Sequence, residues 1–185
     1  IGGPEETEQF LDLDEAGLVR QLQGLNVQIN DRARQLEVLE TVLLTRIVGA
    51  RTHPQGQPVE GGWISSHFGT RTDPFTGKQA RHQGVDIAAR AGAEIHAVAS
   101  GVVTYSGNRY GYGTMVEIDH GDGFTTRYAH NAETRVVVGE EVQKGQFNGL
   151  VGSTGRATGP NLHLEVLKDG KRQDPVRFIR GKQRK

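Results

Sequence analysis

The chain has 185 residues, with 22 basic and 22 acidic side chains, 26 glycines and no cysteine. Its length suits one domain with an appendage, and no stretch is apolar for long enough to span a bilayer as a helix. The absence of cysteine excludes disulfides, thiolate metal sites and a cysteine nucleophile, so any metal must be held by histidine and carboxylate.

The zero net charge hides a gradient. Residues 5–48 carry nine acids and four bases, whereas residues 168–185 carry eight bases and two acids. The basic end, Arg177 to Lys185, comes with no nucleic-acid motif. It reads as a solvated terminus, with residues 181–185 as a basic tail, and no nucleic-acid partner is expected. The chain opens on Ile1 rather than Met, and the expectation is a signal peptide or membrane anchor upstream.

Residues 1–11 read as an N-terminal tail. Residues 12–48 are predicted to form one long amphipathic helix. Leu18, Leu22, Leu25, Ile29, Leu36, Leu39 and Leu43 follow the alternating spacing of a coiled-coil seam, broken only by Arg32. Asp12 with Glu15 three residues on resembles a capping box. Such a seam needs a partner: a second copy of the chain, another helix, or a groove on the following domain.

Residues 49–62, with two prolines and four glycines, are a linker by composition. From there, short strands separated by turns predict a mainly β, antiparallel domain over 63–180, a compact sandwich or barrel. Strand candidates are Gly101–Ser106, Thr114–Asp119, Phe124–Ala129 and Leu162–Leu167, with hairpin turns at His120–Gly123 and Lys168–Lys171. Nineteen of the 26 glycines fall in residues 61–170, as a turn-rich β fold requires.

Among the seven histidines, His82 and His163 sit in settings that suit a metal. His82 and Asp86 would be about 13 Å apart on an extended strand, too far for one ion, so a bend at Gly84 must bring them together. His163 alternates with Leu162 and Leu164, and it faces a groove if they face a core. Two histidines and one carboxylate suit zinc with a position left open for water, although the His-x-x-x-Asp spacing alone is a weak signal. His67, His96 and His120 read as surface or packing histidines.

The motifs around these residues strengthen the case. W-I-S-S-H-F-G-T-R-T-D-P-F-T-G at 63–77, H-Q-G-V-D-I-A at 82–88 and A-V-A-S-G-V-V at 97–103 come first. Y-G-Y-G at 110–113, R-Y-A-H at 127–130, G-S-T-G-R-A-T-G-P at 152–160 and L-H-L-E-V at 162–166 follow in order. Together they resemble the M23 family of zinc metallopeptidases, the lysostaphin-type or LytM domains, over about residues 62–180. The N-terminal helix is a further likeness to Gram-negative envelope members of that family.

The resemblance implies a zinc endopeptidase acting on the stem peptides of peptidoglycan, exported to the periplasm or cell envelope, with one Zn²⁺ per chain. His82, Asp86 and His163 match the zinc ligands. His130 matches one of two histidines that polarise the attacking water and stabilise the tetrahedral intermediate. The second is ordinarily the first member of a His-x-His motif, which here reads Asn161-Leu162-His163. Asparagine can hydrogen-bond but cannot take up a proton at neutral pH. Asn161 is therefore an engineered substitution, a natural divergence towards a non-catalytic binding or hydrolase-activating module, or a change that leaves His130 to support slow turnover. Arg109, Tyr110 and Tyr112 are expected beside a substrate groove.

Overall fold

A computed structural model describes residues 15–179. In chain order the elements are α1 (Glu15–Thr52), β1 (Trp63–Ser66), β2 (Gly69–Thr72), β3 (Gln79–His82), β4 (Val85–Ala88), β5 (Glu94–His96) and β6 (Gly101–Arg109). There follow β7 (Gly113–Gly121), β8 (Phe124–Thr134), β9 (Glu141–Val142), β10 (Phe147–Val151), β11 (Asn161–Lys168), β12 (Lys171–Gln173) and α2 (Val176–Ile179). The residues 1–11, the Asp12 cap and the tail at 181–185 lie outside the described residues.

The chain divides into two compact units between Arg46 and Ile47. The described part of the first, from Glu15 on, is helical. Its seam residues Leu18, Leu22, Leu25, Ile29, Leu36, Leu39 and Leu43 are all exposed, and Gly24 does not interrupt the helix. The helix ends four residues later than the sequence predicts, at Thr52 rather than residue 48. Composition marks Gly49-Ala50-Arg51-Thr52 as linker, but nothing there blocks a helix. The His53 amide still donates to the Gly49 carbonyl at 3.0 Å, and Pro54 then disfavours helical backbone at the residue before it.

The second unit is antiparallel β. One sheet runs β1-β4-β11-β8-β7-β6-β9, with β10 pairing β8 and β5, and β12 pairing β11; β2 and β3 form a separate hairpin. The predicted strands are present, each extended by a few residues. Both predicted hairpin turns carry an Asp-Gly pair with positive φ, 47° and 72° at Asp122-Gly123 and 50° and 72° at Asp169-Gly170. Two successive left-handed residues match the twist of the flanking strands, and this is why Asp-Gly serves there.

The core is aliphatic, with Val85, Ile87, Ile118, Leu162 and Leu164 packed around Tyr128. Burial drives the Tyr128 phenol up to about 12, so it stays neutral, and its hydroxyl accepts the Val98 amide at 2.9 Å. His120 belongs to the same polar thread rather than to the surface. It is 3% exposed, with Nδ1 on the Ser100 carbonyl and Nε2 2.7 Å from the Thr126 hydroxyl.

One buried side-chain amide among the described residues has no such support at either end. Asn148 of β10 is fully buried, and neither its amide nitrogen nor its carbonyl oxygen has a partner. An unsatisfied buried amide costs about 1–3 kcal/mol. Asn148→Val is therefore expected to raise unfolding stability by about that much, read as a higher denaturant midpoint at constant m-value. A lower midpoint would show that the amide is satisfied by a bound water.

Candidate metal centre and its cavity

Three strands and one bend assemble the centre. β4 and β11 pair so that His163 stands opposite Asp86. β11 and β8 pair so that His163 stands opposite Ala129, beside His130. His82 closes β3, and the chain turns through Gln83-Gly84 into β4. Gly84 is required at that bend: a Cβ there would lie 2.3 Å from the Leu164 carbonyl oxygen and 3.0 Å from His163 Cε1. Alternation along β11 sends Leu162 and Leu164 into the core. Asn161, His163 and Glu165 line a cavity of about 310 Å³ on the other face, together with His82, Asp86 and His130.

Within the centre, His82 Nε2 lies 3.1 Å from both Asp86 Oδ1 and His163 Nδ1, and the last two atoms are 2.8 Å apart. The outer nitrogens determine what these atoms carry. His82 Nδ1 is 2.8 Å from the His67 carbonyl, which can only accept, so Nδ1 holds the proton and Nε2 presents a lone pair. His163 Nε2 faces the Glu165 carboxylate at 3.5 Å, which leaves its Nδ1 lone pair turned inward.

Burial alone would raise the Asp86 carboxyl. Protons shared onto the inward nitrogens of His163 and His82 while no other cation lies among them, with the charge they bring, outweigh it and hold the group well below the usual carboxylate range. Arg71 Nη2 adds a cation 3.2 Å from Asp86 Oδ2. The three potential ligand atoms thus lie 2.8–3.1 Å apart, slightly closer than the roughly 3.3 Å edge of a tetrahedral zinc site. Such a set is mutually repulsive until a cation sits among them, and His82, Asp86 and His163 are a fitting donor set for one.

His130 stands beside the set, its ring centroid 5.7 Å from that of His163. Its backbone is left-handed, with φ 65°, a conformation uncommon outside glycine that histidine adopts more readily than most residues. The Tyr112 carbonyl accepts its amide, and the Thr154 carbonyl accepts its Nδ1–H at 2.8 Å. That leaves Nε2 as the free ring nitrogen. Burial, with His163 nearby, lowers the His130 pKa, so the ring favours its neutral form. Asn161 lines the same cavity, and its buried Oδ1 has no hydrogen-bond partner.

Of the three groove residues expected from sequence, Tyr112 lines the cavity and donates its hydroxyl to Glu165 Oε1 at 3.0 Å. Arg109 stacks over Tyr105 and Tyr112 outside the cavity lining, and Tyr110 is fully exposed. His53 packs edge-on against Phe124, with ring centroids 5.0 Å apart.

Glu165, Arg71 and Thr154 are site residues that the sequence reading missed. Glu165 is completely buried. Burial pushes its carboxyl up, but His163, the charge of Arg172 and the Tyr112 hydroxyl together bring it down to about 2. Arg127 Nη1 and Arg172 Nε lie 3.1 and 3.4 Å from Glu165 Oε2. A signal for it existed: in L-H-L-E-V it is two residues beyond His163 and so on the same strand face. Arg71 and Thr154 come from remote segments and left no comparable signal.

Residues 80–175 match the model of peptidase family M23. The chain is 43% identical over 113 residues to the DD-carboxypeptidase/endopeptidase Mpg of Neisseria meningitidis, covering 61% of this chain and 26% of that protein. It is 37% identical over 118 residues to the murein hydrolase activator NlpD of Escherichia coli, covering 63% and 31%. The chain thus spans only about a quarter to a third of these relatives' length. Among solved structures, a zinc-containing peptidase from Vibrio cholerae superposes with TM-score 0.61 and 35% identity, over 65% of this chain and 38% of that one.

Gly84→Ala tests the bend. The new methyl group must displace the Leu164 carbonyl or the His163 ring, and overpacking of this kind costs about 1–3 kcal/mol. A lower denaturation midpoint is expected, and an unchanged midpoint would show that β4 and β11 can slide apart freely.

Proposed function

The chain belongs to peptidase family M23, and we propose that it is a zinc endopeptidase for the peptide cross-links of bacterial peptidoglycan, impaired by Asn161. The observation that supports this most directly is the convergence of His82 Nε2, Asp86 Oδ1 and His163 Nδ1, whose outer hydrogen bonds turn lone pairs inward. These residues would hold one zinc ion. Bound zinc supplies Lewis-acid polarisation and lowers the pKa of a water towards 7.

The remaining chemistry falls to the chain's own groups. His130, with Nδ1 fixed on Thr154, offers Nε2 to accept a proton or to hydrogen-bond a developing oxyanion. Asn161 occupies the place of a second such group and can only hydrogen-bond. Its unpartnered Oδ1 is consistent with a pocket built for a different side chain. An open cavity of about 310 Å³ admits an extended peptide better than a folded protein. Peptidoglycan lies outside the cytoplasm, so the site of action in this reading is the periplasm or cell envelope.

A second reading has its own support. Asn161 removes a proton acceptor while the metal-ligand set stays intact, as a non-catalytic binding or hydrolase-activating module would allow. Asn161→His separates the two. Restoring a general base is worth about 10²–10⁴ in rate. The revertant, at one zinc per chain by metal analysis, is expected to release cross-linked peptides from purified sacculi that much faster than the parent. A revertant as inert as the parent would leave only the module reading.

The exposed seam of α1 supports a helix partner in either case, and a second copy of the chain is the simplest one. Sedimentation is expected to show a dimer that Leu25→Asp and Leu36→Asp convert to monomer. A parent that is monomeric at all concentrations would rule out self-association.

A further inference from the structure

The cavity has a charge pattern that the proposed chemistry does not use. Its lining includes three arginines, Arg71, Arg81 and Arg156, and three acids, Asp73, Asp86 and Glu165. Two of the arginines are matched within it: Arg71 with Asp86, and Arg156 with Asp73. Glu165 is matched by Arg127 and Arg172, which are not part of the lining. Arg81 remains, exposed on β3, with no ion pair among the described residues and only the Phe68 ring 5.8 Å from its guanidinium. The cavity wall therefore carries one uncompensated positive charge, before any metal adds to it.

Arg156 is held ready in a different way. Its backbone amide donates to Gly111, and the adjoining Gly155 packs so closely on Gly113 that a Cβ would fall 2.3 Å from the Gly113 amide nitrogen. That anchors the base of the side chain. At its tip, Nη2 donates to both oxygens of Asp73, at 2.7 and 2.8 Å, and the guanidinium stacks 4.8 Å from the centre of Phe75. Asp73 is itself fixed by the Phe75 and Thr76 amides at 2.9 Å each. Only one of the three guanidinium nitrogens is used among the described residues, where Nε and Nη1 have no hydrogen-bond partner. A guanidinium already ordered and still holding free donors binds a carboxylate with little further loss of side-chain entropy.

We propose that Arg81 and Arg156 are specificity-determining residues that read a free carboxylate on the peptide. The cavity then selects cross-links bearing a carboxylate near the scissile bond over neutral, glycine-type bridges. The proposal rests on the peptidoglycan reading given above and adds to it the chemistry of the preferred bridge. Neither arginine touches the reacting atoms, so both act on binding and discrimination.

The test uses two synthetic cross-linked peptides, identical except that one carries a free carboxylate beside the bridge and the other the carboxamide. Titration calorimetry on the zinc-loaded parent chain reads binding without turnover. The carboxylate peptide is expected to bind about tenfold more tightly, with the ratio shrinking as salt is raised. Arg81→Gln and Arg156→Gln should each cut the ratio several-fold, by weakening the carboxylate peptide more than the carboxamide. Because Arg156→Gln also releases Asp73, Arg81→Gln is the deciding variant, and Arg156→Lys should keep part of the preference.

Equal affinity for the two peptides overturns the arginine assignment and leaves the peptidoglycan reading standing. So does a preference that survives Arg81→Gln, or a variant that loses both peptides alike. Binding of neither peptide by a folded, zinc-loaded chain overturns both.

Discussion

The alternation of side chains along β11 places Leu162, Leu164 and Val166 on one face and Asn161, His163 and Glu165 on the other. The first set is wholly buried among the aliphatic core residues, and the second lines the cavity. β11 also pairs with β4, β8 and β12, so its register positions Asp86 and the segment that carries His130. A slip of one residue would exchange the two faces, driving a histidine and a carboxylate into the core and three aliphatic side chains into the site. Packing energy and site geometry are thus one constraint, and the leucines hold the histidine in place as firmly as any direct contact.

The charged interior follows from that arrangement. Glu165 reaches zero exposure because its neighbours on the same faces of adjacent strands answer it: Arg127 opposite on β8, Arg172 from β12, and the Tyr112 hydroxyl. Arg127 in turn lies 2.5 Å from Glu117 on β7. Breaking one partner of such a buried network leaves an uncompensated charge, which costs far more than an exposed ion pair. The network also explains the orientation of His163, since a buried carboxylate beside Nε2 selects the tautomer that turns Nδ1 towards Asp86.

What was legible in the sequence was local. Asp-Gly pairs between alternating runs marked both hairpins, because the turn conformation needs those residue types whatever surrounds them. His82 and Asp86 were readable as a pair that only a bend at Gly84 could unite, and Leu162 and Leu164 fixed the facing of His163. The less legible features depend on contacts between distant segments. Nothing in R-T-D-P-F announces that Asp73 will be grasped by an arginine 83 positions later, and no pattern reveals that the Thr154 carbonyl will orient His130. The helix end was misread for another reason: glycine at position 49 weakens a helix without stopping it, and the stop waited for Pro54.

The two positions that flank the centre differ in how freely they can change. Asn161 begins an ordinary extended strand, where any β-compatible residue fits the backbone. His130 sits at φ 65°, a conformation that penalises β-branched and bulky replacements regardless of what they do chemically. Random substitution is therefore filtered unequally. Many changes at 130 would strain the backbone whatever their side chain, whereas a change at 161 need not. The cavity side chain at 161 is thus open to replacement on backbone grounds, whereas the one at 130 is held by its backbone conformation and by the Thr154 carbonyl together.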